Sequence, residues 1–424
     1  MFHGAFSIVS DWHRFDREGC STPPYHEERL YHADTSGPSN SVPNRDRQIR
    51  LNKEAGRTRL DTNAPREGAM SRAQDREQDK HPENRDGKRT GISGIFHRGL
   101  ALFFHPKHRT VRFPPDRTLG ILFQKDRNNR SEDAWEEIGP ASGDVFLPAD
   151  KALRLKVASG DGAPVDLSPL TGLKQNDLQS LRLEYAKITD ADLSHLRGLT
   201  GLNELELKST AVTGEGFVHL RHLKLLIELG LWETPIDNAG LKHLREFTSL
   251  QELDLGMTQV TCSGLAHLQE MRSLRRLSLG GTEVGDKGMA FLREHTALQG
   301  LFLGCTKISD AGLAQLRELP ELQRIALAAT RVTDEGLSHL KELQTLEWLY
   351  LGGTRISDTG LASLRKLRNL KWLYLPGTGI TDAGLAHLSA LSTLRELDLK
   401  DTSVSPVGLA RLRQALPDCK VTLK

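Results

Sequence analysis

LEWLYLGGTRISDTGLASLRKL, residues 346–367, holds one complete copy of the pattern that organises most of this chain. Leu349 and Leu351 stand two apart, the spacing that puts both side chains on one face of a strand. Leu361, Leu364 and Leu367 stand three apart, which suits a helical turn with one apolar side. Between them come Thr354, Ile356, Asp358 and Gly360. Working outward, the threonine recurs from Thr210 to Thr402 at a constant step of 24 residues, and Ala186 holds the same slot one step earlier. The frame LxxLxLxxTx(V/I)(T/S)DxGLxxLxxL returns with it, giving ten units without insertion from about Leu178 to Leu416. Val421 and Leu423 fall where an eleventh strand would lie.

One unit cannot bury its own leucines, so the units must stack and share a continuous core. Strands stack at about 4.8 Å while helices need about 8–10 Å, so the array bends with its strands on the inside. The threonine stands where the chain leaves the strand, where its hydroxyl can satisfy backbone groups of the turn. Ser or Thr before Asp, as in Ser309–Asp310 and Thr381–Asp382, reads as a helix N-cap followed by an acid at the positive end.

On these residues, the segment from about 161 to 424 resembles the leucine-rich repeat family. Its unit is similar to GALA-type and F-box-associated repeats, which share the Ile/Val–Thr/Ser–Asp–x–Gly–Leu helix entry. Threonine replaces the usual Asn or Cys of the family frame. The resemblance implies a non-catalytic scaffold that binds a partner protein on a concave parallel sheet backed by short convex helices. Its F-box side implies, as an alternative, a ubiquitin-ligase adaptor, for which the first 160 residues hold no F-box pattern.

The rest of the chain is different. Residues 1–92 mix charges of both signs with Pro, Gly, Asn and Gln and have no period, which predicts a disordered leader. A functional tail and a start at Met70 both fit that composition. Residues 93–160 contain HRTVRF, TLGILFQ, GDVFLP and ALRLKV between turn-forming stretches, which predicts a small β-rich unit capping the array. The fold class expected overall is therefore an α/β leucine-rich-repeat solenoid behind a β-rich cap and a disordered N-terminus.

Lys and Arg number 57 against 55 Asp and Glu, a net charge of +2 that argues against a nucleic-acid or polybasic membrane partner. No apolar run is long enough for a membrane span, and the N-terminus has no secretory pattern, so a cytoplasmic location is expected. No CxxC pair, phosphate loop or GxSxG occurs, and His26–Glu27–Glu28 lacks the second His of HExxH because Leu30 stands there. His195, His219, His243, His267, His339 and His387 share one helical slot, too far apart to share a metal, so they read as a repeated surface residue. No enzyme, metal or other cofactor is expected.

The repeat register exposes strand positions six, four and two residues before each threonine. Trp348, Tyr350, Trp372 and Tyr374 occupy these slots as a two-by-two block on adjacent strands, with Phe302 two strands away and Trp232 further off. Aromatics are 5% of the chain, so six in thirty slots is an enrichment. It predicts an exposed binding patch, with cross-strand stiffening as the structural alternative. Glu204, Glu206, Glu228, Glu252 and Asp254 form an acidic flank, and Glu396 and Asp398 another. Arg276 and Arg324 lie between, placed to orient a ligand. A glycan or small molecule stacked on Trp348 and Trp372 is the alternative to a protein partner.

Overall fold

The computed structural model describes residues 108–157 and 164–423. The expected leader, residues 1–92, and the start of the expected cap, residues 93–107, lie outside the described residues. The first five strands are β1 (His108–Arg112), β2 (Gly120–Asp126), β3 (Glu136–Pro140), β4 (Asp144–Pro148) and β5 (Lys151–Val157). β1 pairs antiparallel with β4, opposing Val111 to Val145. β2 lies antiparallel between β3 and β5. Gly120 sits at φ +153° against the backbone of Lys156 and Val157, leaving no room for a side chain.

β5 then runs parallel to the first repeat strand, with Leu155 opposite Leu181. The strands β6 (Ser180–Arg182), β7 (Glu204–Glu206), β8 (Glu228–Gly230), β9 (Glu252–Asp254), β10 (Arg276–Ser278) and β11 (Gly300–Phe302) follow. After them come β12 (Arg324–Ala326), β13 (Trp348–Tyr350), β14 (Trp372–Tyr374), β15 (Glu396–Asp398) and β16 (Lys420–Thr422). All are parallel, so cap and repeats form one sheet of 14 strands in the order β3, β2, β5 and then β6 through β16. Each repeat residue pairs with its equivalents 24 positions away, as Leu349 does with Ile325 on one side and Leu373 on the other.

The core is a continuous leucine column. Leu349, Leu351, Leu361, Leu364 and Leu367 are fully buried, and so are their equivalents in neighbouring units. Leu122, Leu153 and Leu155 of the cap belong to the same core, so the cap closes an end that would expose leucine to water. The threonine hydroxyls do what their position suggests. Each of the nine, from Thr210 to Thr402, donates to the leucine carbonyl three residues back at 2.6–2.7 Å.

Two regularities of backbone angle and hydrogen bonding go beyond the sequence pattern. The residue before each threonine slot is left-handed in every unit, from Tyr185 at φ 62° to Asp401 at φ 55°. Only Gly281, Gly353 and Gly377 in that column are glycine. This geometry turns the chain off the sheet while its amide still donates to the next unit, as Ala329 does to Gly352 at 2.8 Å.

The second is a carboxylate ladder. Asp310 accepts from the amide of Thr333 at 2.8 Å and from its hydroxyl at 2.7 Å, although Thr333 belongs to the next unit. Asp286 does the same for Ser309, Asp358 for Thr381 and Asp382 for Ser405. Each acid of the frame therefore ties two units together as well as sitting at a helix start. The N-cap expectation holds at Thr333, Ser357, Thr381 and Ser405, whose hydroxyls accept from helix amides, whereas Ser309 makes no such bond.

The back of the array changes along its length. Early units carry 3-10 turns such as Asp192–Leu196 and Gly264–Leu268. Later ones carry α-helices, Asp358–Leu364, Asp382–Leu388 and finally Pro406–Ala415. The six column histidines sit half-buried on this back face. His295, outside the column, is fully buried instead.

Candidate functional site

The outward face of the sheet carries a second, smaller cluster separate from the leucine core. It contains Phe302, Ala326, Ala328, Trp348, Tyr350 and Tyr374, with Trp372 packed at its margin. In-register pairing places Trp348 opposite Trp372 and Tyr350 opposite Tyr374. Tyr350 and Tyr374 stack with ring centroids 5.6 Å apart and planes at 16°. Trp348 lies tilted 5.7 Å from Tyr374 and 6.1 Å from Phe302. The aromatic block and Phe302 thus form one assembly, bridging the strand between them over Ala326.

The register predicts that these rings are an exposed patch, and the structure corrects this. Phe302 is 1%, Tyr350 3%, and Trp348 and Tyr374 each 6% exposed. The rings pack on one another at centroid distances of 5.6–6.1 Å, so each covers part of its neighbour. Burial also pushes the Tyr374 phenol well above its ordinary pKa. Trp372 alone of the block remains half-buried at the rim. The small third column is the floor. A Cβ on Gly352 would lie 2.8 Å from both the Tyr350 ring and Pro376, so no side chain fits there.

Trp232 is not brought into this cluster. It lies over Gly256, where a Cβ would strike the ring, with the Lys208 ammonium 5.6 Å from its centroid. The two arginines also differ. Arg276 forms an ion pair with Glu252 on the preceding strand. Arg324 neighbours Trp348 in register and is half-buried. Burial, and then Arg276, lower its pKa, while Glu347 and Glu252 act in the opposite direction.

The acidic flank is partly neutralised by the cap, through residues that the repeat pattern does not single out. Arg154 of β5, only 5% exposed, reaches Glu132 at 2.5 and 2.7 Å and Glu204 at 2.8 and 2.9 Å. Its guanidinium also lies 4.2 Å from the Trp135 ring centroid. Arg182 contacts Glu204 at 3.0 Å and Glu132 at 2.8 Å. Burial opposes the charge on Arg182, but Glu204, Glu132, Glu206 and Glu184 outweigh it and raise its pKa. A signal for Arg154 exists in the sequence, since it occupies an outward slot on a strand continuous with the repeats. Recognising it requires knowing that the cap extends the same sheet.

Fold and repeat together define a leucine-rich-repeat protein. A family model described as "Leucine Rich repeat" matches residues 270–292, one unit of the array. The matched model is that of the repeat in general and does not speak to the GALA-type or F-box-associated grouping. No curated protein matches the chain in sequence. Among solved structures, an internalin of Listeria monocytogenes (inlF) is similar at 22% identity and TM-score 0.49, covering 63% of this chain and 86% of its own. A leucine-rich-repeat protein of Leptospira interrogans is similar at 19% identity and TM-score 0.42, over 58% of this chain and 72% of that one. Internalin C2 of Listeria monocytogenes is similar at 25% identity and TM-score 0.39, over 61% and 91%. No helix among the described residues is long and apolar enough to cross a membrane.

Proposed function

We propose that the chain is a non-catalytic scaffold that binds a protein partner on the outward face of its sheet, centred on the rim of the aromatic cluster. The observation that carries this reading is the position of Trp372 and Arg324. They flank Trp348 on either side in register, one a half-buried ring and the other a half-buried guanidinium. Tryptophan and arginine supported by a packed, desolvated surround are the composition of an interface anchor. In this reading the buried rings keep the platform rigid, which lowers the ordering cost of binding, while Trp372 and Arg324 make the contact. Phe302, Tyr350 and Tyr374 act beneath them, Trp232 and Arg276 at the acidic side.

A glycan reading has less support from the geometry. Stacking on a sugar needs an open ring face, and Trp348 offers almost none. The near-balanced charge favours a protein over a nucleic acid as the partner.

Trp372→Ala and Arg324→Ala in the full-length chain test the proposal, with folding checked by circular dichroism. Proteins captured by the wild-type chain and confirmed by binding of the purified partner should be lost by both variants. Retention of every such partner at wild-type affinity by both variants refutes the site. Saccharides bound on a glycan array by the wild type and lost by Trp372→Ala would transfer the site to the glycan reading.

A further inference from the structure

We propose that Glu206 and Glu228 form a proton-sharing carboxyl pair on the sheet face, a built-in pH-sensitive element that gains negative charge and loosens the first repeats as pH rises. The proposal does not depend on the identity of any partner. It rests on placement. Carboxylate oxygens of Glu204, Glu206 and Glu228 all lie within 4.8 Å of one another on two adjacent strands. The Glu206 carboxylate folds across the neighbouring strand onto Gly230, where any side chain would displace it. Glu206 is therefore held against backbone, and both acids are half-buried on the sheet face.

Counter-charge is unevenly distributed among the three. Glu204 takes both nearby guanidinium groups, Arg154 at 2.8 Å and Arg182 at 2.9 Å. These arginines are further engaged by Glu132. Arg276 is paired with Glu252. Among the described residues, no hydrogen bond or ion pair joins a cation to Glu206 or Glu228. The groups facing the pair are Arg154, Glu132 and Lys125 from the cap, Arg182 and Glu184 from the first unit, and Glu204 and Lys208 from the second. Glu252, Asp254 and Arg276 face it from the following strands.

Two half-buried carboxylates within 4.8 Å of each other, with a third beside them, resist ionising together, and the proton they retain belongs to the pair. Burial first, then Glu252 and Glu204, hold the Glu228 carboxyl up at about 8, against the pull of Arg276 and Arg182. Burial first, then Glu228, push Glu206 well above its ordinary range as well. In the unfolded chain both acids titrate near their ordinary value of about 4.3. The folded state therefore holds more protons than the unfolded one between these limits, so stability is greatest below the unfolded value and declines as pH rises through the folded one. A cation brought by another molecule would expel the shared proton.

The test uses the full-length wild type, Glu228→Gln, Glu206→Gln and, as a distant control, Glu396→Gln. Side-chain carboxyl carbons of 13C-labelled glutamate are titrated by NMR, and melting temperatures are measured from about pH 5 to about pH 9. At least one wild-type glutamate should titrate near pH 8, and that signal should vanish in Glu228→Gln. From about pH 5 to about pH 8 the wild-type melting temperature should fall by several degrees more than that of either variant, with the control following the wild type. The proposal is overturned if every glutamate of the folded wild type titrates below about pH 5.5, a result that needs no variant to fold. It is equally overturned if Glu228→Gln and wild type share one pH slope.

Discussion

If the frame's glycine is small because the preceding unit's aspartate occupies the space above it, then the two residues must be energetically coupled across a unit boundary. Asp286 and Gly312 give the sharpest case. The Asp286 carboxylate accepts from the Ser309 amide at 2.8 Å and from its hydroxyl at 2.6 Å. A Cβ on Gly312 would lie 2.5 Å from the same oxygen, Oδ1, that holds the amide. Asp286→Ala leaves the Ser309 amide without its acceptor and removes two bonds to a charged group, an expected loss of about 2–3 kcal/mol. Gly312→Ala pushes the oxygen off the amide, costing about 2 kcal/mol. The better helix propensity of alanine within Asp310–Leu313 returns about 1 kcal/mol of this. Once Asp286 is already alanine there is little left to displace, so the second substitution should be neutral or stabilising. Urea denaturation of wild type, both single variants and the double variant, followed by far-UV circular dichroism, measures the cycle. A coupling of about 1–2 kcal/mol is expected. Additivity within about 0.5 kcal/mol would refute the account of why glycine stands there.

Other consequences are as direct. Ala329 is held at φ 51°, a conformation costly for any residue with a Cβ, so Ala329→Gly should raise the urea midpoint by the equivalent of about 0.5–1 kcal/mol; a lowered midpoint would contradict it. Thr354→Val keeps the shape but deletes the 2.6 Å bond to the Leu351 carbonyl, and should cost about 1–2 kcal/mol in the same assay. His295 bonds the Leu268 carbonyl at 3.0 Å, and burial lowers its pKa below 6.5. The unfolded chain then takes up the proton first, so this contribution is complete above about pH 6.5 and is lost on acidification. Melting curves of His295→Gln should accordingly show a shallower decline from about pH 7 to about pH 5 than wild type, and parallel declines would exclude the residue as a source of acid sensitivity.

How much of this is legible in the sequence depends on whether a feature repeats in residue type or only in geometry. The leucines, the threonine column and the outward register can be read directly, because each slot needs a particular side chain and the period supplies ten copies. The left-handed column cannot. Tyr185, Ser209, Glu233, Met257 and Ala329 share a backbone angle but no chemistry, since the turn constrains φ and leaves the choice of side chain open. The aspartate ladder is visible as residues but not as bonds, because its partners are 23 positions away. At the candidate site the sequence locates the rings and misjudges their exposure. Neighbouring side chains on a parallel sheet shade one another, and that depends on ring tilt rather than on register. The role of Arg154 is hidden for a different reason: it lies outside the repeat, and only the continuation of the sheet into the cap places it beside Glu204.

The aspartate ladder also bears on how such a chain can change length. Every bond it makes joins one unit to the next, and donor and acceptor recur at the same offset throughout. Excision or duplication of 24 residues anywhere between Asp286 and Ser405 would therefore bring an acid opposite a Ser or Thr of the same kind as the one it lost. A break elsewhere in phase would orphan both. The chain thus behaves as a linear polymer with interchangeable monomers and a fixed direction. Its acids point toward the C-terminus and its acceptor-seeking amides toward the N-terminus, so a cut exposes a solvated carboxylate on one side and an unsatisfied amide on the other. Growth or loss of whole units is the least disruptive mutation for this architecture, whereas the cap strands have no second copy among the described residues.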